Sequence, residues 1–296
     1  MMRTRSLSTI RPRPWHVLLC VAICCQPHLG RSADFDAAGS TFEELLLHAQ
    51  RYGTTKEKRE NRKKASQELY ARGVESLRYL MKNTHLKNDV IFIFDSQLVR
   101  EHLTDHEAAN VLLDFLDAAE EQTRKRATYL LGFCETPEYA DRVMPLLDDE
   151  DVAGAAARTL GKWKIGAAAP RISGFLYHER ERRRVLAANA LRDIGEDRDA
   201  IDLIAALNDP VFTVRKAASR ALSDLGGNVE NVLIDELPES RGLAQREMIR
   251  ILGRLKSRGA INILRTMLDE PDLAQDAADA LVRISPVRAE KWIPTR

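Results

Sequence analysis

Leucine recurs along this chain at an almost constant interval, and that repeat is the feature that most limits what the chain can fold into. The steps between successive copies are 29, 31, 31, 30 and 29 residues. The recurring positions are Leu131, Leu160, Leu191, Leu222, Leu252 and Leu281. In every copy the residues four positions before and three positions after the leucine are apolar, which is the spacing of one buried helix face.

A second leucine series runs between the first. Its members are Leu116, Leu147, Leu176, Leu207, Leu237 and Leu268. Each ends a short amphipathic segment, and a polar turn follows, so every unit reads as helix A, turn and helix B. Helical hairpins of this length bury their apolar faces by stacking. We therefore expect an all-α protein, a right-handed α-solenoid of stacked hairpins of about 30 residues each.

Residues 208–226, NDPVFTVRKAASRALSDLG, show how one B helix is specified. Asp209 suits the helix N-cap, and Pro210 suits the first turn, where a missing N–H is not needed. Small alanines in the middle allow a neighbouring helix to approach closely. Gly226 suits the left-handed conformation of the residue that ends many helices.

These residues carry a family resemblance. Residues 207–226 follow the pattern L-x-D-P-x-x-x-V-R-x-A-A-x-x-A-L-x-x-L-G, which resembles a HEAT-like repeat of the phycobilisome-lyase type. Residues 184–195 match equally well, and the resemblance extends over residues 105–285. It implies a solenoid whose B helices line the inner surface. It implies little about function, because such arrays have many roles.

The first 33 residues differ in composition from the rest. They contain five arginines and no acidic residue, with an apolar run at residues 15–25 that is too short to span a bilayer. We interpret residues 1–33 as a signal-peptide segment, with cleavage before Ala33 favoured over cleavage before Asp34, and we expect a location in the periplasm or cell envelope of a bacterium, or secretion. A disordered N-terminus, a membrane anchor, and lipid attachment at Cys24 or Cys25 are the alternatives. After cleavage, no membrane span is expected.

The remaining chain divides by pattern into three parts. Residues 34–104 read as divergent N-terminal helical repeats, residues 105–285 as about six regular hairpins, and residues 286–296 as a C-terminal tail. Without the five leader arginines, 40 basic residues face 44 acidic ones, a net charge of −4. That balance opposes general nucleic-acid binding, which requires phosphate neutralisation.

Arginines recur seven residues before the anchor leucine. They are Arg124, Arg184 and Arg215, with Arg246 displaced by one position. They could form a structural ladder, pairing with acids such as Asp193 and Asp224 or with carbonyls at helix ends. They could instead line a surface that binds an acidic partner, together with Arg180, Arg182 and Arg183 in the most charged turn.

Candidate chemistry is sparse. Cys134 occupies an apolar column and is expected to be a buried, unreactive thiol. HEAT-like deoxyhypusine hydroxylases place His-Glu pairs on several B helices to hold iron, whereas here His106 opens a helix A and His178 lies in a turn. Thr104 reads as the cap between His102 and His106. We therefore expect no catalytic residue, no metal ligand and no cofactor.

The sequence as a whole predicts a non-enzymatic scaffold that binds another protein along its concave face. A bilin lyase-like or metal-dependent hydroxylase-like enzyme is the main alternative, and a nucleic-acid-binding protein is a third.

Overall fold

The computed structural model describes residues 35–50, 55–84, 89–289 and 291–292, and helices are the regular elements of that part of the chain. The predicted signal peptide, with Cys20, Cys24 and Cys25, lies outside these residues. Within them, no helix is long and apolar enough to cross a membrane. The α-helices are α1 Phe42–Gln50, α2 Lys56–Ala71, α3 Gly73–Lys82, α4 Asp89–Glu101, α5 Asp105–Leu113, α6 Glu121–Leu131, α7 Ala140–Val143, α8 Ala153–Lys162, α9 Ala169–Gly174, α10 Glu181–Ile194, α11 Ala200–Ala206, α12 Phe212–Leu225, α13 Glu230–Glu236, α14 Gly242–Leu255, α15 Ile261–Thr266, α16 Ala274–Ile284 and α17 Pro286–Ala289.

The chain divides into two compact units, Met1–Glu68 and Leu69–Arg296. In the described part of the first unit, α1 begins with a reciprocal cap. The Thr41 N–H donates to the Glu44 carboxylate at 2.9 Å, and the Glu44 N–H donates to Thr41 Oγ1 at 3.3 Å. These bonds satisfy the backbone N–H groups of Thr41 and Glu44, which have no acceptor within the helix. Leu45 and Leu46 of α1 are buried.

The second unit is built from the predicted hairpins. The B helices are α6, α8, α10, α12, α14 and α16, and they fall on the six copies of the repeat. The A segments are shorter, and five of the six end or begin in a 3-10 turn next to a short α-helix, as in Phe175–Tyr177 after α9. The all-α solenoid of stacked hairpins is therefore confirmed, while the hand of its superhelix stays a prediction.

The leucine columns form the core of the array. All six anchor leucines are fully buried, and the residues four positions before them are fully buried as well. Two predicted core positions differ. Leu268 is only half-buried because the 3-10 turn Met267–Asp269 places Met267 inward instead, and Leu255 is half-buried at the end of α14.

Small residues and side-chain hydrogen bonds join neighbouring repeats. A Cβ added to Gly161 of α8 would lie 2.9 Å from the Cα of Ala190 in α10, so the two backbones are almost in contact. The indole N–H of Trp163 donates to the Cys134 carbonyl at 2.6 Å, and the Thr159 hydroxyl donates to the Thr128 carbonyl at 2.7 Å. Such bonds satisfy the carbonyls that buried helix ends leave open.

One local prediction needs correction. Helix α12 begins at Phe212, so Asp209 is not its N-cap and Pro210 precedes its first turn. The Asp209 carboxylate instead accepts the Val211 N–H at 2.8 Å and an arginine of the preceding repeat. Gly226 does end α12 with a positive φ of 67°, but its ψ of −138° lies outside the predicted left-handed helical region.

A buried ion pair joins α4 to α6. The Arg126 guanidinium donates to Asp95, whose side chain is fully buried while that of Arg126 is 11% exposed. Burial raises the pKa of Asp95 to about 6, and this effect outweighs the opposing pull of Arg126 and of the Ser96 hydrogen bonds.

This raised pKa predicts a pH dependence of stability. Since the pKa of Asp95 is higher in the folded chain than in the unfolded one, the folded chain binds more protons as the pH falls from about 7 to about 4. Over that interval, wild type should gain stability relative to Asp95→Asn by an amount on the order of 1–3 kcal/mol. Urea unfolding of both proteins at several pH values measures this, and a difference that stays constant with pH would contradict it.

Candidate functional site

Two of the predicted arginines form a ladder between repeats. Arg184 of α10 donates to Asp209 of the next repeat at 2.6 and 3.1 Å, and its Nη1 donates to the His178 and Glu179 carbonyls at 2.8 and 2.9 Å. Arg124 of α6 repeats this arrangement, with Asp149 at 3.0–3.1 Å and the carbonyls of residues 118 and 119. Each arginine thus closes the turn before its own helix and ties it to the following repeat.

The acids of this ladder have lowered pKa values. Burial by itself would raise the pKa of Asp209, but the Arg184 hydrogen bond and the Val211 N–H lower it below its usual range. Asp149 behaves in the same way, with burial outweighed by the Asp151 N–H and by Arg124. The prediction that Asp193 and Asp224 pair with the recurring arginines is wrong. Asp193 pairs with Arg192, and Asp224 pairs with Arg220. The expected contact with helix-end carbonyls is present.

Arg215 and Arg246 depart from the ladder. Arg215 keeps the two carbonyl bonds, to Asp209 and Pro210 at 2.7 and 3.0 Å. In the ladder the acid stands 25 residues after its arginine, as Asp149 does after Arg124 and Asp209 after Arg184. The residue 25 positions after Arg215 is Ser240, so the acidic partner is missing. Arg246 donates to Asp276 of α16 at 2.8 Å.

The charged turn before α10 is partly used internally. Arg180 pairs with Glu150 at 2.9 Å, and Arg183 lies 3.2 Å from the His178 ring and 5.9 Å from the centre of the Phe175 ring. Arg182 is exposed and makes no ion pair among the described residues. A partner-binding role for Arg180, Arg182 and Arg183 stays a prediction.

The structure places a groove where the ladder is interrupted. It lies between helices α12 and α14 and has a volume of about 410 Å³. Phe212 and Leu243 stand at it with 65% and 54% of their surface exposed. We call this the α12–α14 groove, and its charged lining residues are Arg215, Lys216, Arg246, Glu247, Arg250 and Arg254. Five cations against one carboxylate make the lining strongly basic.

A network of hydrogen bonds holds these cations in place. Arg250 donates to Asp276 at 2.9 Å and to Glu247 at 3.3 Å, and Arg254 donates to Glu247 at 3.1 Å. Burial would raise the pKa of Asp276, but Arg246 and Arg250 lower it, so this acid stays ionised. Arg246, Arg250 and Arg254 keep 38–46% of their side chains exposed. Their outer faces can therefore receive a ligand without a change of conformation.

The sequence analysis singled out Arg215 and Arg246, which line this groove. It missed the other lining cations, Lys216, Arg250 and Arg254. Arg250 and Arg254 stand two residues before and two after the anchor Leu252. Positions at those offsets flank the buried stripe of a helix, so the repeat pattern indicated that these two side chains lie beside the buried face of α14. Lys216 is exposed and makes no ion pair among the described residues.

The residues weighed for chemistry are placed as follows. Cys134 is buried in the core, as predicted, and burial raises the pKa of its thiol to about 12. Thr104 caps α5 in a reciprocal bond with Glu107, and His106 lies 3.5 Å from Glu138. Within the described residues, no group of three or more His, Cys, Asp or Glu side chains is arranged to hold a metal ion.

Comparison with known proteins yields one family match. Residues 146–223 match the family described as HEAT repeats. No match to a curated protein is found. Among solved structures, Kap121p bound to Nup53p superposes with a TM-score of 0.54 at 14% identity, over 84% of this chain and 33% of Kap121p. This chain therefore spans about a third of Kap121p, and the likeness shows the fold alone.

Two other solved structures are similar over most of their own lengths. YibA of Escherichia coli matches at 18% identity over 94% of this chain and 99% of its own, with a TM-score of 0.47. Human deoxyhypusine hydroxylase matches at 18% identity over 83% of this chain and 97% of its own, with a TM-score of 0.33. The period, the buried columns and the match agree, and residues 146–223 belong to the family of HEAT repeats.

Proposed function

We propose that this chain is an exported, non-enzymatic scaffold that binds a protein partner, and that the α12–α14 groove receives an acidic segment of that partner. The observation that carries the proposal is the composition of the groove. Five cations surround a space of about 410 Å³, with two exposed apolar side chains beside them. An acidic segment with one apolar or aromatic side chain is complementary to both features.

The repeat architecture supports a binding role. Stacked hairpins present long rows of side chains that contact a partner across several repeats. Kap121p, a solenoid of this fold, has been solved in complex with Nup53p and with Pho4p. The proposal of export rests on the composition of residues 1–33. N-terminal sequencing of the protein isolated from its native cells tests it, and a chain still beginning at Met1 would overturn that part.

The binding test uses a synthetic fluorescent peptide in which glutamates surround a single phenylalanine. The variant combines Phe212→Ser with Lys216→Glu, which changes two exposed side chains that are not needed for the Asp276 network. The matched control combines Val287→Ser with Arg142→Glu, an exposed apolar residue and an exposed cation outside the groove. We expect the variant to weaken binding by about 10- to 100-fold and the control to bind like wild type, since each 1.4 kcal/mol is a factor of ten.

Two results would overturn the groove assignment. One is a wild-type protein that does not bind the acidic peptide at all. The other is equal weakening by the variant and by the control, which would mean that net charge alone attracts the peptide. Circular dichroism of each protein confirms that the fold is kept.

A further inference from the structure

A second cluster of cations lies on helices α4 and α8, nearer the N-terminus of the same unit. The Phe133 ring, just after α6, has three cations around it. The Arg158 guanidinium lies 5.0 Å from its centre, Lys162 Nζ lies 5.0 Å and the Arg100 guanidinium lies 5.4 Å. Arg158 also stacks over Tyr129 at 4.0 Å. We call these five residues the Phe133 cluster.

The charges of the Phe133 cluster are not balanced by carboxylates. Among the described residues, no acid forms an ion pair with Arg100, Arg158 or Lys162. Asp193 interacts with Arg158 and Lys162 only electrostatically. Its carboxylate forms an ion pair with Arg192 at 2.8 Å. The pKa of Lys162 is lowered, first because the side chain is partly desolvated and next because the neighbouring Arg158 repels its positive charge. An added carboxylate would relieve that repulsion.

The Phe133 cluster and the α12–α14 groove share one register. Arg158 and Lys162 stand two residues before and after the anchor Leu160, as Arg250 and Arg254 do around Leu252. The two B helices between them carry Asn189 and Asp193, then Arg220 and Asp224, at the same offsets. At these two offsets, α8 and α14 therefore carry only cations, whereas the two helices between them also carry the acids Asp193 and Asp224.

The spacing of the two ends sets the length of a ligand that can reach both. Three steps between neighbouring B helices, at about 8–10 Å each, separate α8 from α14 by about 24–30 Å. An extended peptide covers about 3.3 Å per residue, so about eight residues span this separation.

We propose that the partner segment is bipartite, with one acidic cluster bound in the α12–α14 groove and a second bound at the Phe133 cluster, separated by about eight residues. This inference rests on the proposed function. The linker between the two acidic clusters is neutral, because Asp193 and Asp224 on the two intervening helices already pair with arginines. The Phe133 ring contacts all three cations and the Tyr129 ring contacts Arg158, so the rings keep the three charges together.

The test compares three fluorescent peptides with wild type. One has two glutamate clusters about eight residues apart, one has the same clusters about three residues apart, and one has a single cluster. We expect the widely spaced peptide to bind about 10–100 times more tightly than the other two, because linkage makes the second contact intramolecular. The variant Arg100→Ala with Lys162→Ala should remove that advantage, so that the widely and the narrowly spaced peptides bind it equally.

The outcomes separate this inference from the proposed function. If the single-cluster peptide binds in a groove-dependent manner and wide spacing brings no gain, the bipartite inference is overturned and the groove stands. If no acidic peptide binds, the proposed function fails with it. Binding of a single-stranded oligonucleotide that is lost in the Arg100→Ala, Lys162→Ala variant, with no binding of the peptides, would assign the Phe133 cluster to nucleic acid and overturn both.

Discussion

Replacing Arg184 by alanine will lower the free energy of unfolding by about 3–5 kcal/mol, which is the loss expected when one partner of a buried ion pair is removed. Only 11% of the Arg184 side chain and 8% of the Asp209 side chain are exposed, so the remaining carboxylate stays buried without its partner. The His178 and Glu179 carbonyls lose their shared donor at the same time. Urea unfolding followed by circular dichroism measures the change.

Two further variants make this prediction specific to the ladder. Arg182→Ala removes an exposed arginine from the same helix and should change stability by less than about 0.5 kcal/mol. Arg184→Lys keeps the charge but cannot reach both the carboxylate and the carbonyls, so it should restore only part of the loss. If Arg184→Ala and Arg182→Ala proved equally stable, the ladder would contribute nothing measurable to the fold.

Replacing Gly161 by leucine will destabilise the array through the opposite mechanism, overpacking. A Cβ at this position would lie 2.9 Å from the Ala190 Cα and 3.0 Å from the Ala190 carbonyl oxygen. Because these are backbone atoms, the clash cannot be relieved by a side-chain rotation, and helices α8 and α10 must move apart. We expect a loss near the upper end of the ~1–3 kcal/mol that added core volume usually costs.

Gly174 provides the matched control for this second prediction. It lies in α9, is exposed, and has nothing within 4 Å of an added Cβ. Gly174→Ala should therefore stabilise the protein by about 0.5–1 kcal/mol, because alanine favours the helix and restricts the unfolded chain. Thermal unfolding of the two variants should shift in opposite directions, and a Gly161→Leu protein as stable as wild type would contradict the close helix contact.

The core could be predicted from sequence because the repeat supplies many copies of one pattern. Each anchor leucine is supported by apolar neighbours at fixed offsets, so an accidental leucine does not fit the columns. The errors fall in a 3-10 turn and at the end of a helix. Leu268 and Leu255 sit where a 3-10 turn or a helix terminus changes the angular position of a residue, and this change depends on local hydrogen bonds that periodicity does not contain.

The arginine ladder was predictable only in part. The recurrence of Arg124 and Arg184 indicated a shared role, and both contact the carbonyls of the preceding turn. Their acidic partners lie 25 residues away in the turn of the next repeat, so offsets within one helix pointed to the wrong acids. Asp209 accepts hydrogen bonds from Arg184 and from the Val211 N–H, and α12 begins only at Phe212.

The α12–α14 groove could not have been predicted from the repeat, since it depends on how openly two neighbouring B helices pack. Its residues occupy ordinary exposed offsets, and only the structure brings Phe212, Lys216 and Arg254 around one space.

Photo-crosslinking tests the location of partner binding most directly. The acidic peptide carries a photoreactive phenylalanine analogue at its apolar position, and mass spectrometry identifies the attached residues. The proposed function predicts crosslinks concentrated at Phe212 and Leu243 and lost in the Phe212→Ser, Lys216→Glu variant. Crosslinks concentrated on the A segments, or spread evenly along the array, would contradict it.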